Sequence, residues 1–145
     1  MEKILGKIIL VDNVRVEMEL LNRALNKLPW NIQIEYFENP NEALEYLKKT
    51  KELIFLIISD FHMPQMTGFR LKQLIDNDQK LREKAIPFIY YSSSSNDIEI
   101  DDAYAGNIQG FFKKPNSPKE ATELLDMIIK YWITCIRPIF KKNGN

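Results

Sequence analysis

Several things are scarce in this chain, and each scarcity excludes something. Cys135 is the single cysteine among 145 residues, so no internal disulfide forms, and a reducing cytoplasm is the natural setting. His62 is the single histidine. It lies far from Cys135 in sequence and in no Ser-His-Asp pattern, so neither a thiol nor a serine nucleophile has its base, and a zinc site has no ligand set. Packing is then the expected role of Cys135. The five glycines are not grouped into a phosphate-cradling loop. No apolar run approaches the ~20 residues that span a bilayer, and residues 1–7, broken by charge, lack the layout of a secretory signal. An excess of charge of one sign is also missing, because 20 basic and 20 acidic residues cancel. No bulk field therefore draws the chain to nucleic acid or to an anionic membrane. The small basic clusters at 113–114 and 137–142 read as solvated surface.

What is present fits one globular domain with a real core, placed over residues 1–135, with a C-terminal tail over 136–145. Lys7-Ile8-Ile9-Leu10-Val11 and Leu53-Ile54-Phe55-Leu56-Ile57-Ile58 are short continuous apolar runs, the pattern of strands buried on both faces of a parallel sheet. Residues 32–37 alternate, as a half-covered strand near an edge does. Ile86-Pro87-Phe88-Ile89-Tyr90-Tyr91 and Gly110-Phe111-Phe112-Lys113 complete five strands.

Helical patterns separate them. Val14, Met18, Leu21, Leu25 and Leu28 share one face, with Asp12 or Asn13 placed to cap it and Pro29 to stop it. Asn39-Pro40-Asn41 opens a second helix carrying Ala43, Tyr46 and Leu47. Phe69, Leu71, Leu74 and Ile75 mark a third. Residues 79–84 read as a solvated loop or helix end, and 97–106 as a weak acidic helix. Ser117-Pro118 is a cap followed by Pro at the first helical position. The last helix buries Ala121, Leu124, Leu125, Ile128, Ile129, Trp132 and Ile133, and Pro138 ends it. Trp132, Ile133, Ile136 and Ile139 pack on the domain or form a dimer contact, so the expected state is a monomer or weak homodimer. Strand and helix alternate five times. This order predicts an α/β fold, a doubly wound five-stranded parallel sheet with helices on both faces.

Four strands end on polar residues at one edge of that sheet: Asp12-Asn13, Asp60, Ser92 and Lys114. In open parallel sheets this edge is where ligands bind. Each residue has an ordinary reading. Asp12, Asn13 or Asp60 caps a turn, the serine run 92–95 is a flexible turn, and Lys114 is a surface lysine before a rigid proline. Gathered by the fold, they make a phosphoryl site. A carboxylate such as Asp60 attacks phosphorus to give an acyl phosphate. Two anions repel, so a cation is needed, and Mg2+ suits carboxylates, a carbonyl and waters. Lys114 adds a point charge, and Ser92 a hydrogen-bond donor.

These residues resemble the receiver domain of two-component response regulators. Asp12-Asn13 stands where that family has an acidic pair. Asp60, Met63-Pro64, Met66 and Gly68 complete its D-x-x-M-P-x-M-x-G pattern. Ser92 follows an Ile-Pro-hydrophobic run, and Lys114-Pro115 closes the fifth strand, with Phe111 three residues before the lysine. The resemblance extends to about Trp132 and implies a flavodoxin-like (βα)5 fold with strand order 2-1-3-4-5. It implies that a sensor histidine kinase or phosphotransfer protein donates phosphate to Asp60. It further implies a Mg2+ held by Asp12, Asn13, Asp60 and the backbone carbonyl of His62. Ser92 and Phe111 then move, repacking a partner-binding face that includes residues 97–104. The length resembles that of stand-alone receivers.

One departure matters. Asn13 replaces the family's second acid, usually a direct metal ligand, which predicts weaker Mg2+ binding and slower phosphorylation. Other functions compete, among them a flavodoxin-like cofactor binder, which would want a hydroxyl- and glycine-rich loop where this chain has Val14-Arg15-Val16. A degenerate receiver that binds a partner constitutively is favoured by Asn13 and opposed by Asp60, Ser92 and Lys114. A haloacid-dehalogenase-type phosphohydrolase needs a second Asp two residues after the nucleophile, where this chain has His62. The resemblance implies that the His62 side chain faces the entrance of the site; a lone histidine there is more often simply exposed than functional, but contact with attacking water or phosphate would alter hydrolysis.

Overall fold

The computed structural model describes residues 5–138. Five parallel strands form one sheet in the order β2-β1-β3-β4-β5: β1 (Lys7–Val11), β2 (Gln33–Phe37), β3 (Ile54–Ser59), β4 (Phe88–Ser92) and β5 (Gly110–Lys113). The expected doubly wound, flavodoxin-like architecture is the one observed. All six residues of β3 are buried, as its unbroken apolar run requires. Each large side chain there is worth ~2 kcal/mol relative to exposure. At the edge, β2 is partly exposed along its length, which accounts for its alternating pattern.

Among the described residues, six helices cover the two faces. One side carries α1 (Arg15–Asn26) and α6 (Pro118–Thr134). Their Leu21, Leu25, Leu125 and Ile129 pack on Ile8, Leu10, Leu56, Ile58 and Tyr91 of the sheet. The other side carries α2 (Pro40–Lys49), α3 (Gly68–Asn77), α4 (Gln79–Lys84) and α5 (Asp97–Ala105), packed on Ile9, Val11, Ile57, Phe88 and Tyr90. Alternate residues of β1 and β4 thus serve opposite cores, as the two-residue period of a strand demands. In β3 the alternation breaks where the register with β1 skips Phe55. Phe55 and Leu56 then both join the α1–α6 side.

Three local expectations need correction. Residues 79–84 are a helix of their own, α4. The Asp78 side chain caps it by accepting from Leu81 N–H, Ala85 in the left-handed region ends it, and Leu81 is buried. Neither Asp12 nor Asn13 caps α1. Its N-cap is Val14, with no side-chain cap bond, while Asp12 Oδ1 accepts from Val14 N–H at 2.9 Å. Finally, α1 stops at Asn26 and α6 at Thr134, short of Pro29 and Pro138. Leu28 lies past the end of α1 but still packs on the core. The Ser117 cap is as read, accepting from Glu120 N–H, and Asn39 caps the helix that opens there by accepting from Asn41 N–H. Cys135 is half-buried just after α6. Residues 139–145, including Ile139 and most of the expected tail, lie outside the described residues.

Tyr90 is fully buried, yet its hydroxyl has no hydrogen-bond partner among the described residues. An orphaned buried hydroxyl carries its full desolvation cost. Tyr90→Phe keeps the ring and removes that cost. Urea denaturation is expected to show a variant more stable by roughly 1 kcal/mol. Loss of stability would mean that the hydroxyl is bonded after all, through water.

Candidate functional site

The sheet register gathers the strand ends. Asp12 N–H donates to the Phe37 carbonyl, Asp60 N–H to the Val11 carbonyl and Lys114 N–H to the Ser92 carbonyl. Each ladder therefore runs one residue past its strand and delivers Asp12, Asp60, Ser92 and Lys114 to the same edge. After Asp60 the chain must turn back at once to begin α3. Gly68 lets it pass: a Cβ there would stand 2.5 Å from the Asp60 carbonyl oxygen and 2.6 Å from the Tyr90 ring. Gly68 N–H closes the loop on the Phe61 carbonyl at 2.8 Å.

Both carboxylates are buried, Asp12 fully and Asp60 with 7% of its surface exposed. Asp60 Oδ1 accepts from Phe61 N–H at 2.7 Å and, more weakly, from His62 N–H at 3.4 Å. Its Oδ2 faces Lys114 Nζ at 3.5 Å. The same ammonium lies 2.9 Å from Asp12 Oδ2 and 3.9 Å from Glu17 Oε1, with only 10% of the Lys114 side chain exposed. The contact with Asp12 Oδ2 is an ion pair, and that buried oxygen accepts no further bond among the described residues.

Burial pushes the Asp12 carboxyl above its ordinary value. Lys114 and the Val14 N–H pull it partly back, and Asp60 adds repulsion. Glu17 is also raised by burial, eased by Lys114 and worsened by Asp12 and Asp60. For Lys114, burial favours the neutral amine. The contact with Asp12 and the charges of Asp12, Asp60 and Glu17 outweigh it, so its pKa is raised.

The remaining expected residues divide. Ser92 is buried at the same edge, but its hydroxyl donates to the Ser94 carbonyl at 3.1 Å. Phe111 is half-buried, its ring 5.4 Å from Tyr90 and 6.0 Å from Phe61 between centroids. Asn13 is partly exposed beside Asp12. The His62 side chain is half-exposed, and its Nε2 stands 3.0 Å from Glu99 Oε2 on α5. Glu17 was missed by the sequence reading. The available signal was its place in the first turn of a helix that starts just after the acidic strand end.

The described residues contain no group of three or more His, Cys, Asp or Glu side chains close enough to form a ready metal cluster. The donor chemistry still fits a hard divalent cation, which takes carboxylate and carbonyl oxygens and retains waters. Asp12 Oδ2 is an oxygen of that kind, buried and paired only with the Lys114 ammonium.

A model of the response regulator receiver domain matches residues 8–126. The chain belongs to that family. The probable methanogenesis regulatory protein FilR2 of Methanothrix harundinacea (strain 6Ac) is 25% identical over 130 residues, covering 87% of this chain and 83% of FilR2. Other curated relatives are much longer: the chain spans 21%, 18% and 15% of three of them, so the domain also occurs inside larger proteins. Among solved structures, the phosphorylated cyanobacterial phytochrome response regulator RcpA superposes with a TM-score of 0.78 at 21% identity, covering 90% of this chain and 96% of RcpA. The Mn2+-bound response regulator Rcp1 superposes with 0.77 at 16% identity, covering 93% and 99%. At these identities the structural likeness speaks for the fold.

An acid whose pKa is raised by folding weakens the fold as it ionises, so its cost is absent at low pH and appears as pH rises through the folded value. Asp12→Asn removes that cost. The variant is expected to resist urea better than the parent at pH 7, and the advantage is expected to fade as pH falls toward the ordinary aspartate value of 3.8. A variant weaker than the parent at pH 7 would show that the bond to Lys114 outweighs the burial of the charge.

Proposed function

We propose that this receiver domain is a phosphorylation-dependent switch of a two-component phosphorelay that accepts phosphate on Asp60 with Mg2+. The observation that carries this reading is the state of the Asp60 carboxylate. Backbone N–H groups engage Oδ1, which leaves Oδ2 as the oxygen nearest the Lys114 ammonium. Oδ2 attacks phosphorus, an acyl-phosphate O–P bond forms, and the bond to the donor's imidazole nitrogen breaks, the leaving group keeping its electron pair. Lys114 offsets charge on the phosphoryl oxygens. Asp12, Asn13, Asp60 and the His62 backbone carbonyl are the groups that would hold the cation. A bound Mg2+ supplies the positive charge that lets one anion approach another.

Receiver domains in general work with histidine kinases or phosphotransfer proteins, and they act as signalling switches rather than turnover enzymes. In this chain the relay begins at Ser92. Its hydroxyl exchanges the Ser94 carbonyl for a phosphoryl oxygen, and the Phe111 ring follows into the space beside Tyr90. That alters the surface formed by α5, β5 and the start of α6, where Ile98 and Tyr104 are exposed. A small electrostatic event is thereby read by a packed element with two arrangements. No helix among the described residues is long and apolar enough to cross a membrane. A constitutive scaffold is the second reading, and Asn13 alone favours it.

Intact-protein mass spectrometry after incubation with Mg2+ and acetyl phosphate tests the proposal. The parent is expected to gain one phosphate, and Asp60→Asn none. Ser92→Ala is expected to gain the phosphate but to lose the chemical-shift changes on α5 and β5 that follow it. A parent that gains nothing at high Mg2+ would favour the scaffold, and Asn13→Asp would then show whether the missing acid is the cause.

A further inference from the structure

We propose that Glu17 is the third carboxylate of the Asp12–Asp60 site and supplies, toward the divalent cation, the negative charge that Asn13 lacks. This rests on the reading of the site as a cation-assisted phosphoryl acceptor.

Glu17 is the third residue of α1, and its N–H is fixed to the Val14 carbonyl at 3.0 Å. Because α1 begins so soon after β1, the first turn of the helix stands over the sheet edge. A glutamate in that turn has water within easy reach, as the exposed Glu19 on the same helix does. The Glu17 side chain instead lies inward with 17% exposure, its Oε1 3.9 Å from the ammonium that Asp12 and Asp60 also face. Burial and two like-charged neighbours both work against it there. The carboxylate is thus held at the charged cluster rather than in solvent.

A second observation points the same way. Asp12 is fully buried, and its Oδ2, 2.9 Å from Lys114 Nζ, accepts no hydrogen bond among the described residues, so the cluster itself contains a buried anionic oxygen with capacity for a further ligand. Charge counting agrees. Asp12, Asp60 and Glu17 against Lys114 leave two negative charges, which match a divalent cation. Without Glu17, and with Asn13 neutral, one would remain. Glu17 need not touch the ion. Mg2+ keeps several of its waters, and a carboxylate one shell out holds those waters and tunes affinity.

Isothermal titration with Mg2+, and with Mn2+ as a second probe, reads this directly on the unphosphorylated full chain. Glu17→Gln keeps the shape and removes the charge. It is expected to weaken both ions by roughly ten- to hundredfold, the loss typical when an outer partner of a metal is removed. Asn13→Asp is expected to restore that affinity in the Glu17→Gln background and to gain less in the parent, because the two acids do the same work. Thermal melts establish that each variant is folded, and Glu17→Met, similar in length and also without charge, serves with the same expectation if Glu17→Gln is not. Unchanged affinity in Glu17→Gln, with binding abolished in Asp60→Asn, would overturn the role of Glu17 and leave the phosphoryl site standing. A parent that binds neither ion would overturn both.

Discussion

Lys114 Nζ stands within 4 Å of Asp12, Glu17 and Asp60, and the arrangement of the sheet edge depends on that one ammonium. Taking like charges out of water is costly, and their attraction to a single cation need not repay it. Replacing such a cluster by apolar side chains of similar size often stabilises a protein. A buried cluster that is only partly compensated is therefore better understood as chemistry held ready than as glue. The two apolar layers of β3 and its neighbours supply the stability that this edge consumes. The parallel topology supplies the geometry, because every strand must finish at the same edge.

The site is also mechanically joined to the core. Phe61 directly follows Asp60, and its ring lies 5.1 Å from that of Tyr90, which in turn is 5.4 Å from Phe111. Phe61, Tyr90 and Phe111 come from three successive segments of the sheet edge and form one packed aromatic set. Closely packed interiors respond to a displaced ring by repacking rather than by gradual deformation. A loop shift at Asp60 is thus felt at β5 without any need for a long polar path.

Much of this was legible in the sequence, for identifiable reasons. The runs 7–11 and 53–58 announced themselves because a strand buried on both faces needs an unbroken apolar sequence. Gly68 and the Met63-Pro64 pair marked the sharp return after Asp60. What escaped was local or long-range. Helix α4 has six residues, too few for a helical period, and only Leu81 in it is buried. The capping of α1 was misjudged because Asp12 has a stronger use: its Oδ2 faces Lys114, and Oδ1 only steadies the turn at Val14. Glu17 meets Lys114 from the opposite end of the chain, a meeting that no window of sequence displays. Ser92 was placed at the correct edge, but its attachment to the Ser94 carbonyl depends on the path of the following turn.

The two oxygens of Glu99 have different employers. Oε1 accepts from Asn96 N–H and closes the cap of α5, while Oε2 meets His62 two residues beyond Asp60. This matters because α5 is lightly anchored, burying only Ala103 along its length. A helix with so little of itself in the core takes much of its definition from its first turn. Whatever repositions the loop after Asp60 therefore bears on the start of α5 through one side chain. The start of that helix and the loop after Asp60 are tied together by Glu99, a residue that belongs to neither the sheet nor the charged cluster.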